Sequence, residues 1–424
     1  MRLCLLALRN KRLQMRKIEN GVYQVFLLFS FLGVLFIPFS FRYLSIQSEI
    51  TKFFFQDLIV WIASHVDCIH IANPAITSDS TTLYLLVLVL FLVAVLGMLV
   101  LSYVRVWKKH QAFIIQTIQL LLVGYLSLVM LKYGFDKLFK AQFYLPEPNT
   151  LYTPLGNLDK DILYWSTMGV SYTYNVFIGF AELLPAILLL FRRTRILALC
   201  ILLGVLLHVV CVNLGFDISV KLYSMFLLFV CTVLLVPSIR SLIQFFLYHQ
   251  PTTLSPITGA TVIPSNTQRS ILKAILILFL FFESLFPYIL SGEYNDDHIP
   301  RNYLHGAYQV LPSDKLSENG GGERTNIKRL FIHRHNYFIF QYADDSMEDF
   351  SLEIQPSQNQ FILTNYEGEK ITAHYMFSDK TKILELDFDT LNLTIQSKAL
   401  PWEELPLLQP LFHWTVDGID ASEK

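Results

Sequence analysis

Asp136 and Lys137 stand in YGFDKLFKAQF, Tyr133 to Phe143, at the end of a long apolar run. Glu182 lies inside FIGFAELLPAILLL, and His208 inside ILLGVLLHVVCVNLG. Asn213, Asp217 and Lys221 follow in VNLGFDISVKLYS, four residues from one to the next. An ionisable group within an apolar segment is costly, so each needs a partner or a wet cavity. A carboxylate there is protonated or paired. Such a set suits a small anion, a quinone-like ligand or the handling of a proton. Each residue also has a plainer reading. Glu182 can be a neutral hydrogen-bonding group between helices, His208 a packing residue, and Asp217 with Lys221 a salt bridge closing a hairpin.

The elements that must position these groups are membrane helices. Of 424 residues, 53% are hydrophobic and only 16% charged. A bilayer crossing takes about 20 mostly apolar residues. Seven windows fit or come close: 22–41, 82–104, 112–132, 170–191, 195–214, 220–237 and 271–290. Basic residues mark one side. Arg2, Arg9, Lys11, Arg12, Arg16 and Lys17 precede the first window, and Arg105, Lys108 and Lys109 lie between the second and third. Arg192, Arg193 and Arg195 separate the fourth and fifth, and Arg240, Arg269 and Lys273 flank the last linker. The other connections, 42–81, 133–169 and 215–219, are poorer in Lys and Arg. This alternation predicts a cytoplasmic N-terminus and a tail outside. The first window ends in FIPFSF with no small-residue cleavage site, so it reads as a retained anchor.

Glu182 and His208 then differ in depth by roughly 6 Å of helical rise. The spacing predicts an outer pocket lined by Tyr133, Asp136, Lys137, Asn213, Asp217 and Lys221, with Glu182 and His208 deeper. Lys140 is expected to face the lipid headgroups. Glu283, in FFESLFPYIL, is expected to snorkel or to bond a neighbour.

Between the first two windows, FFFQDLIVWIASHV predicts a helix lying in the membrane interface. The following SHVDCIH holds His65, Asp67, Cys68 and His70, all metal-binding types, at a spacing that matches no established zinc pattern. The five cysteines, Cys4, Cys68, Cys200, Cys211 and Cys231, form no C-x-x-C pair and read as packing residues. Residues 238–270, rich in Pro, Thr and Ser, read as a cytoplasmic linker. From Tyr303 the pattern becomes period two. DFSLEIQ alternates Phe350, Leu352 and Ile354 with polar residues; ITAHYMF and LNLTIQ do the same. About eight such strands predict one antiparallel β domain, a barrel or a sandwich.

At LKYGFDKLFKAQF, GVSYTYNVFIGFAELLPAILLLFRRTRILA and VNLGFDISVKLYSMFLL the chain resembles the DoxX-like family of bacterial membrane proteins, and most nearly the long members of Bacteroidetes-type genomes. The matching residues are Tyr133, Gly134 and Lys137; Gly179, Glu182, Arg192, Arg193 and Thr194; and Asn213, Asp217, Val220 and Lys221. The tail is similar too, from LHGAYQV to a Phe-His-Trp closing strand at LFHWTVDG, though the Glu and Arg expected after that Trp are absent. The resemblance implies an inner-membrane protein with a four-helix core. The expected divisions are 1–110, a two-span segment with the interfacial helix; 111–240, the core; 241–270, the linker; 271–295, the last span; and 296–424, the extracytoplasmic β domain.

Two functions remain open. One is a subunit of a membrane oxidoreductase system that binds quinone or a small anion beside a redox partner; some relatives in the family are quinone-linked. No C-x-x-C, paired haem ligands or Gly-rich nucleotide loop supports it. The other is a non-catalytic membrane protein that displays its β domain to a lipid, an envelope component or a protein partner. A net charge of −1 gives no field to attract nucleic acid.

Overall fold

The structure, a computed structural model, describes residues 21–43, 46–66, 71, 73–254, 257, 266–312, 326–388, 393–410, 412 and 414–415. The chain divides into two compact units. One is helical, Met1–Gln142 with Thr173–Asn295; the other joins Phe143–Tyr172 to Asp296–Lys424.

The helical unit contains α1 (Gly21–Phe36), α2 (Ile46–Ser64), α3 (Thr81–Tyr103) and α4 (Arg105–Leu138). The α5 and α6 helices, Pro148–Leu151 and Lys160–Gly169, belong to the second unit. Back in the helical unit come α7 (Tyr172–Leu189), α8 (Arg195–Gly215), α9 (Lys221–Phe246), α10 (Asn266–Ser284) and α11 (Phe286–Ser291). Five of these, α3, α4, α7, α8 and α9, are long and apolar enough to cross a membrane. The α10–α11 pair, bent by 53°, makes a sixth if it is one span. Helix α1 falls short of a span over its described residues, because Pro38 has no N–H to continue the ladder.

Asp79, before α3, lies 3.8 Å from Lys221, at the start of α9, so the two connections meet.

The core of this unit runs along α4 and α9, where Leu122, Leu126, Val129, Val230, Cys231 and Leu234 are fully buried. Helix α2 buries Thr51 and Ile59 and leaves Phe53, Phe54 and Trp61 exposed, as an amphipathic surface helix does.

In the second unit, β1 (Gly306–Val310), β2 (Ile327–Ile332), β3 (Tyr337–Tyr342), β4 (Met347–Gln355), β5 (Gln360–Thr364), β6 (Lys370–Ser378), β7 (Ile383–Phe388) and β8 (Leu393–Ala399) form a closed antiparallel barrel in sequence order. Pairing of Tyr308 with Ala399 closes it. Phe350, Leu352, Ala373, Tyr375 and Ile395, which the alternation read from the sequence places on one buried face, fill the interior together with Phe338, Phe361 and Leu386. An eight-stranded barrel is just wide enough to be packed in this way.

From Phe143 the connection 133–169 is part of the barrel unit, where the Tyr152 ring stacks on Phe331 at 6.1 Å. Among the described residues the last strand of the barrel ends at Ala399, and of LFHWTVDG only Phe412, Trp414 and Thr415 are described. Leu411, His413 and Val416 lie outside the described residues, as do Asp67, Cys68, His70 and Leu391.

Candidate functional site

Helices α4 and α7 meet at two glycines. A Cβ on Gly179 would lie 3.0 Å from the Gly134 carbonyl oxygen and 3.2 Å from the Leu138 nitrogen. Both obstacles are backbone, so only glycine lets these helices come this close. Lys137 and Glu182 each stand three residues beyond their glycine. The helices are antiparallel, and a Cα–Cβ bond tilts toward its helix N-terminus. Each side chain therefore leans back across the crossing toward the other. The Lys137 Nζ donates to both Glu182 carboxylate oxygens, at 2.8 and 3.0 Å. Lys137 is 8% and Glu182 3% exposed, which makes this a desolvated pair. Gly179→Ala is expected to separate the helices and disrupt the pair. The check is a fall in the melting temperature of detergent-solubilised protein, with Gly124→Ala, where the added methyl meets nothing within 4 Å, left unchanged.

Aromatic rings wall the pair on one side. Lys137 Nζ lies 5.3 Å from the Tyr133 ring centroid. Phe39 meets Tyr133 edge-on at 5.6 Å and stacks on Tyr223 at 5.1 Å. The Tyr223 and Tyr125 hydroxyls are 2.7 Å apart and buried. Asp136 accepts the Tyr288 hydroxyl of α11, and Lys132 Nζ lies 3.6 Å away. Two carboxylates thus face two ammonium groups beside four tyrosines. The arrangement can exchange protons and can offer an ammonium to an acceptor if Glu182 becomes neutral.

The other predicted residues are arranged differently. Lys221 Nζ lies 2.7 Å from Asp217, and the Lys221 and Leu222 N–H groups donate to Asp79 at 2.8 and 3.0 Å. Asp79 thereby caps α9, satisfying N–H groups that a helix start leaves unpaired. Asp217 is 80% exposed and left-handed at φ 54°, so it closes a hairpin and does not line an enclosed pocket. His208 is exposed on α8. The buried face of α8 holds Leu199, Leu202, Leu206 and Asn213; His208 is nine residues from Leu199, half a rotation away. Asn213 is buried as expected, and its Nδ2 has no hydrogen-bond partner among the described residues.

Lys140 is 1% exposed, against the expectation of a headgroup anchor. Helix α4 stops at Leu138, so helical spacing no longer applies, and Lys140 takes the left-handed region at φ 54°. Glu283 is buried and accepts the N–H groups of Arg42 and Tyr43, a neighbour bond as expected. Cys211 is exposed on α8, unlike buried Cys231. His65 is exposed with Nδ1 2.9 Å from the Trp61 carbonyl oxygen. Among the described residues no three His, Cys, Asp or Glu side chains group around a metal position.

A second buried charge cluster lies within the barrel unit, where sequence reasoning found none. Arg334, in the β2–β3 turn, donates to Glu147 and to Asp296. His305 Nε2 lies 2.8 Å and His333 Nε2 3.8 Å from Glu147 Oε2. Arg301 donates to Asp296 at 2.8 Å, and the Tyr144 ring lies 4.2 Å beneath the Arg334 guanidinium. Burial raises the Glu147 pKa, but the His305 hydrogen bond and the charges of Arg334, His333 and His305 outweigh it and bring it to about 2. Burial lowers His333 to about 4, against the pull of Glu147. These residues are scattered along the chain as ordinary polar positions. Only the HRH run, 333–335, hints at them.

No family model matches the chain, and no solved structure matches it. Over 71 residues it is 41% identical to the uncharacterized protein YwoB of Bacillus subtilis (strain 168), a match covering 17% of this chain and 46% of that protein. The chain spans about half the length of this curated relative.

Proposed function

We propose that the chain is a DoxX-like protein of the bacterial inner membrane that binds a quinone headgroup or a small anion at the Lys137–Glu182 pair, as a subunit of a membrane oxidoreductase system. In this reading the N-terminus is cytoplasmic and the barrel lies outside. The observation that carries it is the pair itself: an ammonium held on both oxygens of a buried carboxylate, beside the Tyr133 ring. When Glu182 takes a proton, its hold on Lys137 weakens. The ammonium then turns to a carbonyl oxygen or an anion, and the proton is stored where a reduced quinone releases one. The aromatic wall of Phe39, Tyr133 and Tyr223 suits a flat ring.

Titration of the purified full chain with a short-chain menaquinone, and separately with thiosulfate, tests this by quenching of intrinsic fluorescence. Saturable binding of one probe is expected. Lys137→Met should weaken it about tenfold to a hundredfold, as loss of a charged hydrogen bond does. Absence of saturation with both probes, or equal affinity in a folded Lys137→Met protein, counts against the reading.

A second reading draws on the barrel. Its interior is filled by side chains, so any recognition uses the outer surface, as display to a lipid, an envelope component or a protein partner requires. Co-purification of one such component with the wild-type chain, together with silence toward both probes, would favour it.

A further inference from the structure

Helix α4 crosses α7 antiparallel at Gly134 and Gly179, so the start of α4 and the end of α7 share one end of the helical unit. The start of α10 lies there too, because the Lys273 Nζ is 5.1 Å from the Phe191 ring centroid. Among the described residues this end carries charge of one sign. Between Asp79 and Asp136 the sequence has no carboxylate. Between Glu182 and Glu283 it has one, Asp217, which lies past the far end of α8. Arg192, Arg193 and Lys273 are exposed and form no ion pair among the described residues.

Buried Arg195 fixes the turn that carries two of these cations. Its Nε donates to the Leu189 carbonyl oxygen at 3.0 Å, and its Nη1 donates to that of Ile257 at 2.7 Å. The Thr194 hydroxyl donates to the Leu188 carbonyl oxygen at 2.6 Å. Both acceptors of Arg195 are neutral, so the guanidinium adds a positive charge that they do not cancel. The first turn of α8 adds the positive end of a helix dipole. Four cations from two elements thus call for an anion. Their surroundings select which one. Phe191, Leu197, Ile201 and Leu276 are exposed apolar side chains on the same segments, and the Lys273 ammonium lies against the first of them. A soluble anion would use the charges and leave this apolar flank in water. A phospholipid uses both, with its phosphodiester on the cations and its acyl chains along α8 and α10. We infer that the α7–α8 turn, together with Lys273 of α10, binds the headgroup of an anionic phospholipid.

The test places the full chain in detergent micelles holding equal amounts of dioleoyl phosphatidylglycerol and dioleoyl phosphatidylcholine. Lipid retained after gel filtration is extracted and counted by mass spectrometry. Each cation near a membrane surface strengthens anionic-lipid binding about fivefold. Wild-type protein is therefore expected to retain phosphatidylglycerol in at least about tenfold preference. Arg192→Gln, Arg193→Gln and Lys273→Gln together should bring the ratio close to one. The reference changes net charge equally at the α3–α4 junction, through Arg105→Gln, Lys108→Gln and Lys109→Gln, all exposed, and should keep most of the preference. Melting temperatures in phosphatidylcholine alone check that both variants fold. If the first does not, its three single substitutions are read instead, each expected to lower the ratio about threefold to fivefold. Equal loss in both triple variants, equal retention of the two lipids by wild type, or release of phosphatidylglycerol by millimolar inorganic phosphate, the mark of a free-anion site, would overturn the inference.

Discussion

Replacing Lys137 with methionine is expected to destabilise the helical unit by about 3–5 kcal/mol, the usual cost of stranding one member of a buried ion pair. That is a large share of the roughly 5–15 kcal/mol that holds a folded protein together. Glu182 is 3% exposed and would have to protonate or draw water into the crossing. Glu182→Gln is expected to cost less, because the amide oxygen still accepts from Lys137, although the ammonium loses its counter-charge. The double variant Lys137→Met, Glu182→Leu is expected to recover most of the loss, since buried pairs replaced by packed apolar groups are often neutral or better. Thermal unfolding of the solubilised protein reads all three. If the double variant is as unstable as Lys137→Met, the pair is not the relevant interaction and packing at Gly134–Gly179 is. A stable double variant that no longer binds either probe would separate a functional demand for the charges from a structural one.

The pair was legible because a lone Lys and a lone Glu in apolar helices advertise their cost. The direct contact was not, because it depends on two glycines whose close approach is a property of packing. Depth along a helix could be counted, but rotation about it could not. Counting therefore sets Glu182 and His208 at nearby levels, yet one is buried and the other exposed. Lys140 shows a related limit: it stands two residues past Leu138, where the helix has ended and helical spacing no longer says which way a side chain points. The barrel was legible from alternation at Phe350, Leu352, Ala373, Tyr375 and Ile395, since a strand with one buried face writes period two into the chain. Closure into a barrel was not, because β1–β8 pairing joins residues about ninety positions apart with no local signal. The same holds for Glu147, which reaches His305, Arg334 and Asp296 only after the chain has passed through α5 to α11.

Acid is expected to loosen the Glu147 cluster in two steps. His333 comes first. Burial holds its folded pKa near 4, below the ordinary 6.5, so the folded form resists protonation. Its contribution is complete above pH 6.5 and is lost as pH falls toward 4. Glu147 comes second. With a folded pKa of about 2 against an ordinary 4.5, it contributes fully above pH 4.5 and loses this as pH falls through 2, in all about 3 kcal/mol. Backbone amides from Tyr144 to Leu151 should therefore exchange with deuterium faster, after correction for intrinsic rates, at pH 5 than at pH 7, and faster again at pH 3.5. His333→Phe should remove the upper step and leave the lower one. Arg334→Ala removes the guanidinium shared by Glu147 and Asp296, leaving them His305 and Arg301, and is expected to loosen the segment already at pH 7, at a local cost of about 1.5–3 kcal/mol. Arg334→Lys should recover only part of this, because a single ammonium cannot reproduce the two separate donations to Glu147 and Asp296. Exchange of these amides that is insensitive both to pH and to Arg334→Ala would mean that the Tyr152–Phe331 stacking face, not the charges, retains the segment on the barrel.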